Sequence, residues 1–177
     1  MKSVVRRIKN LDRALFAAIF RVKWPAFTHV MRAFTIVGAA GFLWGVTAGV
    51  AFLFTDLEPW SLILPWGAVA SSWIIAETTK YFFDRARPFM SDTEIAPLIK
   101  TPSSSSFPSG HSATAAAGAI TLSAAYPAFT PIFLLAGLLV VLSRVYLGVH
   151  YPFDVLAGVI IGAVTAGLFL MAAGLVA

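Results

Sequence analysis

Two histidines, three cations and an aspartate lie in or beside long apolar stretches of this chain, where such groups are costly and are kept for a task. His150 and Asp154 are four residues apart. That spacing brings two side chains together on one helical face, so that a carboxylate holds one ring nitrogen and leaves the other free. An imidazole oriented in this way serves as a nucleophile or a base. Lys80 and Arg87 are seven residues apart; on a continuous helix they fall on the same face about two turns apart and converge on one anion. Pro108-Ser109-Gly110-His111 opens a helix, with Ser109 or Ser106 as its cap. Free N–H groups at such a start form an anion site, Gly110 lets a phosphate approach the main chain, and His111 in the first turn faces it. Arg144 adds the third cation. Singly, each feature also fits a plain structural role: a His and an Arg tying two helix ends, a charged helix end snorkelling to an interface, a hydrogen-bonding surface His.

Apolar helices must position these groups. The 177 residues are 59% hydrophobic and only 12% charged, with a mean hydropathy of +0.84, the composition of a membrane protein. Several apolar runs of about 20 residues are each long enough to cross a hydrocarbon core of about 30 Å as a helix, and none alternates as a barrel strand does. The expected class is an all-α membrane protein: a bundle of five transmembrane helices preceded by an amphipathic N-terminal helix, a six-helix core, forming one domain over 1–177. Without cysteine the chain has neither disulfides nor a thiolate metal site. The formal charge of +5 points to anionic lipid and not to nucleic acid, because the basic residues sit beside hydrophobic spans without a basic aromatic platform.

Residues 1–24 carry Val4, Ile8, Leu11, Leu15, Ile19 and Val22 at three-to-four spacing, with Lys2, Arg6, Lys9, Arg13 and Lys23 between them. This pattern is an amphipathic helix that lies in the interface on anionic lipid or packs on the bundle by its apolar face. Arg13 and Arg21 bracket an apolar run too short for a secretory h-region, so the segment is expected to stay in the mature protein. The transmembrane bundle occupies 33–176, with spans at about 33–54, 60–83, 108–126, 132–144 and 153–176. The first two are joined by the acidic turn Thr55-Asp56-Leu57-Glu58-Pro59. The second and third are joined by a polar loop at 89–107 with the run Ser103-Ser104-Ser105-Ser106, which is a lid, a headgroup entrance or a plain connector. Gly148 ends one helix and Pro152 opens the next at its first turn. Gly158, Gly162, Ala166 and Gly174, mostly four residues apart, mark close helix packing.

Alternating helices place successive loops on opposite sides of a membrane. The end of the second span, the start of the third, the end of the fourth and the start of the fifth then share one face. Lys80, Arg87, Ser109, Gly110, His111, Arg144, His150 and Asp154 all gather there. Three cations and a helix N-terminus suit a multiply charged oxyanion, and two imidazoles supply a nucleophile and an acid for transferring it.

The same residues carry a family resemblance. Lys80 to Pro88 reads K-x6-R-P, Pro108 to His111 reads P-S-G-H, and Ser143 to Asp154 reads S-R-x5-H-x3-D. In that order the three motifs resemble those of the type 2 phosphatidic acid phosphatase family. The resemblance covers the chain from Lys80 onward, and the N-terminal third holds no diagnostic motif. It implies that His150 attacks phosphorus to form a phosphohistidine, that Asp154 orients it, and that His111 protonates the leaving oxygen. It also implies that Lys80, Arg87 and Arg144, with Ser109 and Gly110, hold the phosphoryl oxygens. Fixed cations can stabilise the charge of a phosphoryl-transfer transition state in place of a metal, so neither metal nor cofactor is expected. Glu77, Asp84, Asp92 and Glu94 do not make a convincing two-metal set.

The implied substrate is a lipid phosphate or diphosphate of the isoprenyl diphosphate, phosphatidylglycerol phosphate or phosphatidate class, with its tail between helices. A haloperoxidase using the same anion site is disfavoured, since those resemble large soluble proteins. Outside the enzymes, the alternative is a non-catalytic lipid-phosphate binding or flipping protein. The expected location is multi-pass in the cytoplasmic (inner) membrane, where charge and resemblance disagree about the side. With five crossings all 13 Lys and Arg residues lie on the site's side, against Asp56 and Glu58 opposite. The positive-inside rule then turns the site to the cytoplasm, whereas the resemblance implies an external site; the charge bias tips the expectation to the cytoplasm.

Overall fold

The structure is a computed structural model that describes residues 2–53 and 59–175. Phe54 and the expected acidic turn up to Glu58 lie outside the described residues. The described regular structure is helical: α1 (Lys2–Arg21), α2 (Pro25–Val37), α3 (Phe42–Leu53), α4 (Trp60–Thr79), α5 (Pro88–Ser91), α6 (Gly110–Ala125), α7 (Thr130–Tyr146) and α8 (Pro152–Ala172), with 3₁₀ turns at Ala39–Gly41 and Pro127–Phe129.

Helix α6 is the hub, against which α4, α7 and α8 all pack. Its sequence is mostly Ala, Gly, Ser and Thr, and small side chains let neighbouring backbones approach. On α8 a Cβ at Gly158 would lie 2.3 Å from the Ser109 carbonyl oxygen, and one at Gly162 would lie 2.1 Å from that of Ala113. Their four-residue spacing therefore marks a helix crossing, and buried Ala166 extends it. Gly174 has a different job from the one its spacing suggests. It follows the end of α8 at φ +68° with no described atom near its missing Cβ, so it terminates the helix. On the other flank of α6, Trp44 of α3 lies over Gly118 and joins Leu122, Phe133 and Val140 in the main core.

The outer faces are as apolar as the interior. Leu156, Ile160, Val164 and Leu168 recur every four residues along α8 and are all more than half exposed, as are Ile132, Leu135 and Leu138 on α7. Such continuous stripes suit lipid contact. The stretch Pro127–Tyr146 and α8 are each long and apolar enough to cross a membrane, and Pro25–Val37 with Ala39–Leu53 is a third if the pair counts as one span bent by 53°. Helices α4 and α6 are not among them. The 16 residues of α6 rise about 24 Å at about 1.5 Å each, short of a hydrocarbon core of about 30 Å.

Two expected spans are redrawn. The continuous helix expected at 33–54 starts earlier, at Pro25, and breaks at Gly38-Ala39-Ala40-Gly41, where Ala40 takes φ +48° and Gly41 φ +79°. Packing decides this bend, because Val69 of α4 fills the space that a Cβ on Gly41 would need. The span expected at 60–83 stops at Thr79; Lys80 to Phe83 form a tight turn in which, for example, the Phe82 N–H donates to the Thr79 carbonyl at 3.0 Å.

Helix α1 is amphipathic as expected, but of its apolar stripe Ile19 packs on the bundle while most of the rest does not. Val4, Ile8, Leu11 and Leu15 face outward, while Asp12 and Phe16 are buried. Phe16 packs with Val145, Tyr151 and Val155. The turn after α1 is clamped to the end of α7, where Lys23 Nζ donates to the Tyr146 carbonyl at 2.7 Å and the Tyr146 hydroxyl meets Thr28 Oγ1 at 2.7 Å.

The crossing of α6 and α8 makes a direct prediction. Gly162→Val drives a branched side chain into the α6 backbone and should destabilise the protein in detergent by about 1–3 kcal/mol or more. Gly167→Val, on the open side of the same helix, should change stability by only about 0.5 kcal/mol. Thermal unfolding of the two purified variants checks the contrast.

Candidate active site

The reversal between α7 and α8 builds the site. Gly148 takes φ +83°, a conformation that favours glycine, and the Phe20 ring lies where its Cβ would be. Pro152 then starts α8. The turn folds back on the end of α7, so that the N–H groups of Val149 and His150 both donate to the Arg144 carbonyl at 3.2 Å.

His150 is 2% exposed, and its two neighbours choose its tautomer. Nδ1 lies 2.8 Å from the Ser106 carbonyl oxygen, which only accepts, so Nδ1 carries the proton. Nε2 lies 3.2 Å from Arg87 Nη1, which only donates, so Nε2 keeps its lone pair. Burial, then the charges of Arg144, Arg87 and Lys80, push the His150 pKa well below the ordinary 6.5, and the hydrogen bond to Ser106 works the other way. The ring is neutral at physiological pH.

Asp154 supports this imidazole by a route that its spacing does not reveal. His150 precedes α8, so the pair does not share a helical face, and Asp154 Oδ2 lies 3.7 Å from Nδ1. Oδ2 accepts the Ser106 hydroxyl at 2.5 Å and the Tyr151 N–H at 2.9 Å, while Oδ1 accepts Arg85 Nη1 at 2.6 Å. The carboxylate fixes Ser106, and the Ser106 carbonyl fixes His150.

Lys80 and Arg87 do not share a helix either, because α4 ends between them and Arg87 precedes α5 in extended conformation. Tertiary packing still brings both to one cavity of about 300 Å³, lined also by Gly110, His111, Arg144 and His150. Arg87, 1% exposed, is held by the carbonyls of Ser104 at 2.9 Å, Ser105 at 3.2 Å and Val149 at 2.9 Å. Arg144, 3% exposed, donates from Nη1 to Thr35 Oγ1, and its Nε has no partner among the described residues. Among the described residues neither guanidinium is ion-paired with a carboxylate, whereas Lys80 meets Glu77 at 2.5 Å. Two buried cations without a direct ion pair are costly until an anion joins them.

Of the two expected caps, Ser109 takes the place at the start of α6, accepting the Ser112 N–H at 3.4 Å and the Ser112 hydroxyl at 2.9 Å. Its side chain is absent from the cavity wall, where Gly110 and His111 stand. A Cβ on Gly110 would come 2.9 Å from Glu77 Oε1, the end of a flexible side chain.

Sequence reasoning missed Thr35, Glu77, Ser104, Ser106 as the anchor of His150, and the pair Arg85 and Asp12. Arg85 bridges Asp154 and Asp12, and it was hidden in a cluster of charges. Asp12 carried a signal, being the sole acidic residue before Asp56 in a basic, apolar segment.

Comparisons with known proteins show the family of the chain. The model of the PAP2 superfamily matches residues 61–174. Phosphatidylglycerophosphatase B of Bacillus subtilis is 30% identical over 167 residues, covering 88% of this chain and 79% of the relative. Undecaprenyl-diphosphatase of Sulfolobus acidocaldarius is 37% identical over 91 residues, covering 51% of this chain and 44% of the relative. The crystal structure of a transmembrane PAP2 type phosphatidylglycerolphosphate phosphatase from Bacillus subtilis matches with a TM-score of 0.78 at 29% identity, over 97% of this chain and 88% of that one.

The tautomer is open to direct measurement. With ¹⁵N-labelled histidine, His150 should show a protonated Nδ1 and an unprotonated Nε2 at pH 6.5, and should take up a second proton only well below that pH, since burial and three cations oppose the imidazolium. A titration midpoint near 6.5 would contradict the burial argument.

Proposed function

The chain belongs to the PAP2 superfamily, and from that premise we propose that it hydrolyses a membrane lipid phosphate or diphosphate through a phosphohistidine on His150, without a metal. It is a phosphoric ester hydrolase of the lipid-phosphatase kind. The observation that carries the mechanistic reading is the setting of His150, with Nδ1 on the Ser106 carbonyl and Nε2 3.2 Å from Arg87, in a cavity shared with Arg144, whose guanidinium has no ion pair among the described residues.

In this reading Arg87, Arg144 and Lys80 hold the phosphoryl oxygens, aided by the N–H groups at the start of α6, where Gly110 admits the anion and Ser109 caps the helix. His150 Nε2 attacks phosphorus. His111 takes up a proton together with the incoming phosphate anion, whose charge offsets the cations, and gives it to the leaving oxygen as that bond breaks. Water then attacks the phosphohistidine, returns the proton to His111 and releases inorganic phosphate, leaving His150 with its lone pair. Asp154 keeps Ser106, and through it the imidazole, in place.

The named relatives suggest the substrate range. The Bacillus relative is named for phosphatidylglycerol phosphate and the Sulfolobus one for undecaprenyl diphosphate; both classes, with phosphatidate, are candidates here. The reading takes 1–177 as one multi-pass domain of the cytoplasmic membrane with five crossings. Helix α1 would lie on anionic lipid, since its apolar stripe faces outward beside Arg6, Lys9 and Arg13.

Phosphate release from a panel of lipid phosphates tests the reading. Turnover should persist in EDTA and be inhibited by vanadate, which mimics five-coordinate phosphorus. His150→Ala should abolish turnover, and an acid-labile phosphoenzyme should form in the parent and not in that variant. A strict Mg²⁺ requirement at the chemical step, or an active His150→Ala, would overturn the mechanism. Sidedness has its own test. A reporter fused after Ala177 should show external phosphatase activity if the site faces the cytoplasm, because an odd number of crossings puts the C-terminus opposite the site; cytoplasmic fluorescence there would reverse the assignment.

A further inference from the structure

Asp12 is a fully buried carboxylate on a helix that lies outside the stretch matched by the family model. Burying that charge is costly unless it is paired, and both of its oxygens are engaged at the site's edge. Oδ1 accepts the Phe153 N–H at 2.9 Å. Phe153 is the second residue of α8, so its N–H has no intrahelical acceptor; Asp12 caps α8 from 141 positions away in the chain, with its negative charge at the favourable end of the helix. Oδ2 pairs with Arg85 Nη2. The other nitrogen of Arg85 holds Asp154, and the guanidinium lies 4.6 Å over the Tyr151 ring, next to His150.

We propose that Asp12 is a positioning residue for the phosphatase reaction, reaching from α1 to fix, through Arg85 and the start of α8, the junction that presents His150. The proposal rests on the functional reading above. The line of contacts is continuous: Asp12 holds Arg85, Arg85 holds Asp154, Asp154 holds Ser106, and Ser106 holds His150 Nδ1. Asp12 is absent from the cavity wall, so it acts on the aim of the nucleophile and leaves the grip on the phosphoryl group to other residues. The helix that presents it is the one whose apolar stripe faces outward, which joins the seating of α1 to the geometry of the site.

The test uses the full chain in detergent, with active sites counted by vanadate binding and phosphate release measured per site on the lipid phosphate that the parent protein turns over best. Asp12→Ala should lower kcat per site on the order of 10²-fold, as expected for a misaimed reacting group, with KM and vanadate affinity held within about threefold. Asp12→Asn keeps an oxygen for the Phe153 N–H while losing the charge facing Arg85, so it should lose less. The double variant Asp12→Ala/Arg85→Ala should be about as slow as Arg85→Ala alone, because the two residues act in one line. Unchanged kcat per site in Asp12→Ala overturns the proposal, as do multiplicative losses in the double variant. A fall in vanadate sites that matches the fall in activity also overturns it, since that marks a purely structural residue. Where Asp12→Ala yields no folded protein, Asp12→Asn is judged by the same measures. A parent protein that releases no phosphate from any lipid phosphate overturns this proposal and the functional reading together, whereas an active parent with unaffected Asp12 variants overturns the positioning role alone.

Discussion

The hydrogen bond from His150 Nδ1 to the Ser106 carbonyl, 2.8 Å long, decides which ring nitrogen is available for chemistry. With the proton fixed on Nδ1, Nε2 must present its lone pair to Arg87 and the cavity. Two buried guanidiniums nearby make a protonated ring still less favourable. In the proposed mechanism the cations that stabilise a transferring phosphoryl group would thus also keep His150 unprotonated, a coupling that depends on the low dielectric of a buried site.

Each member of the site has a helix end behind it. The reversal at Gly148 brings His150 back under the Arg144 carbonyl, and the close crossing of α6 and α8 at Gly158 and Gly162 brings the Ser109 N–H within 3.0 Å of the Asp154 carbonyl. A bulkier residue at that crossing would separate the start of α6 from the start of α8, and with them Gly110 and His111 from His150. The serines at 104–106 wrap Arg87 and His150 with main-chain oxygens. The loop at 89–107 is therefore part of the wall of the site as well as a connection.

Arg85 and Asp12 extend the support outward to α1. Asp154, Arg85 and Asp12 alternate in charge at the surface of the site, and the side chains of both carboxylates are almost completely shielded from solvent. In such surroundings removing Arg85 would leave two buried carboxylates without their counter-charge, so Arg85 ties the three together. The unit lies where α1, with its outward apolar stripe, meets the start of α8.

The sequence alone determined the class of protein, through its composition, and the family, through three short motifs; it also named six residues, Lys80, Arg87, Gly110, His111, Arg144 and His150, that the fold brings to one cavity. It also determined the turn at Gly148 and Pro152, where backbone constraints are local. Inferences that extended helical periodicity across a break failed: Lys80 with Arg87, His150 with Asp154, and the unbroken stretch through Gly38 to Gly41 all assumed a helix that tertiary packing interrupts. Only the folded structure decided that Ser106 carries the orienting bond, that Ser109 caps α6 away from the cavity wall, and that Asp12 reaches the start of α8. Those contacts join positions tens to more than a hundred residues apart. No periodicity in one chain encodes such a meeting; it arises when α4, α6 and α8 pack around small residues and their ends converge.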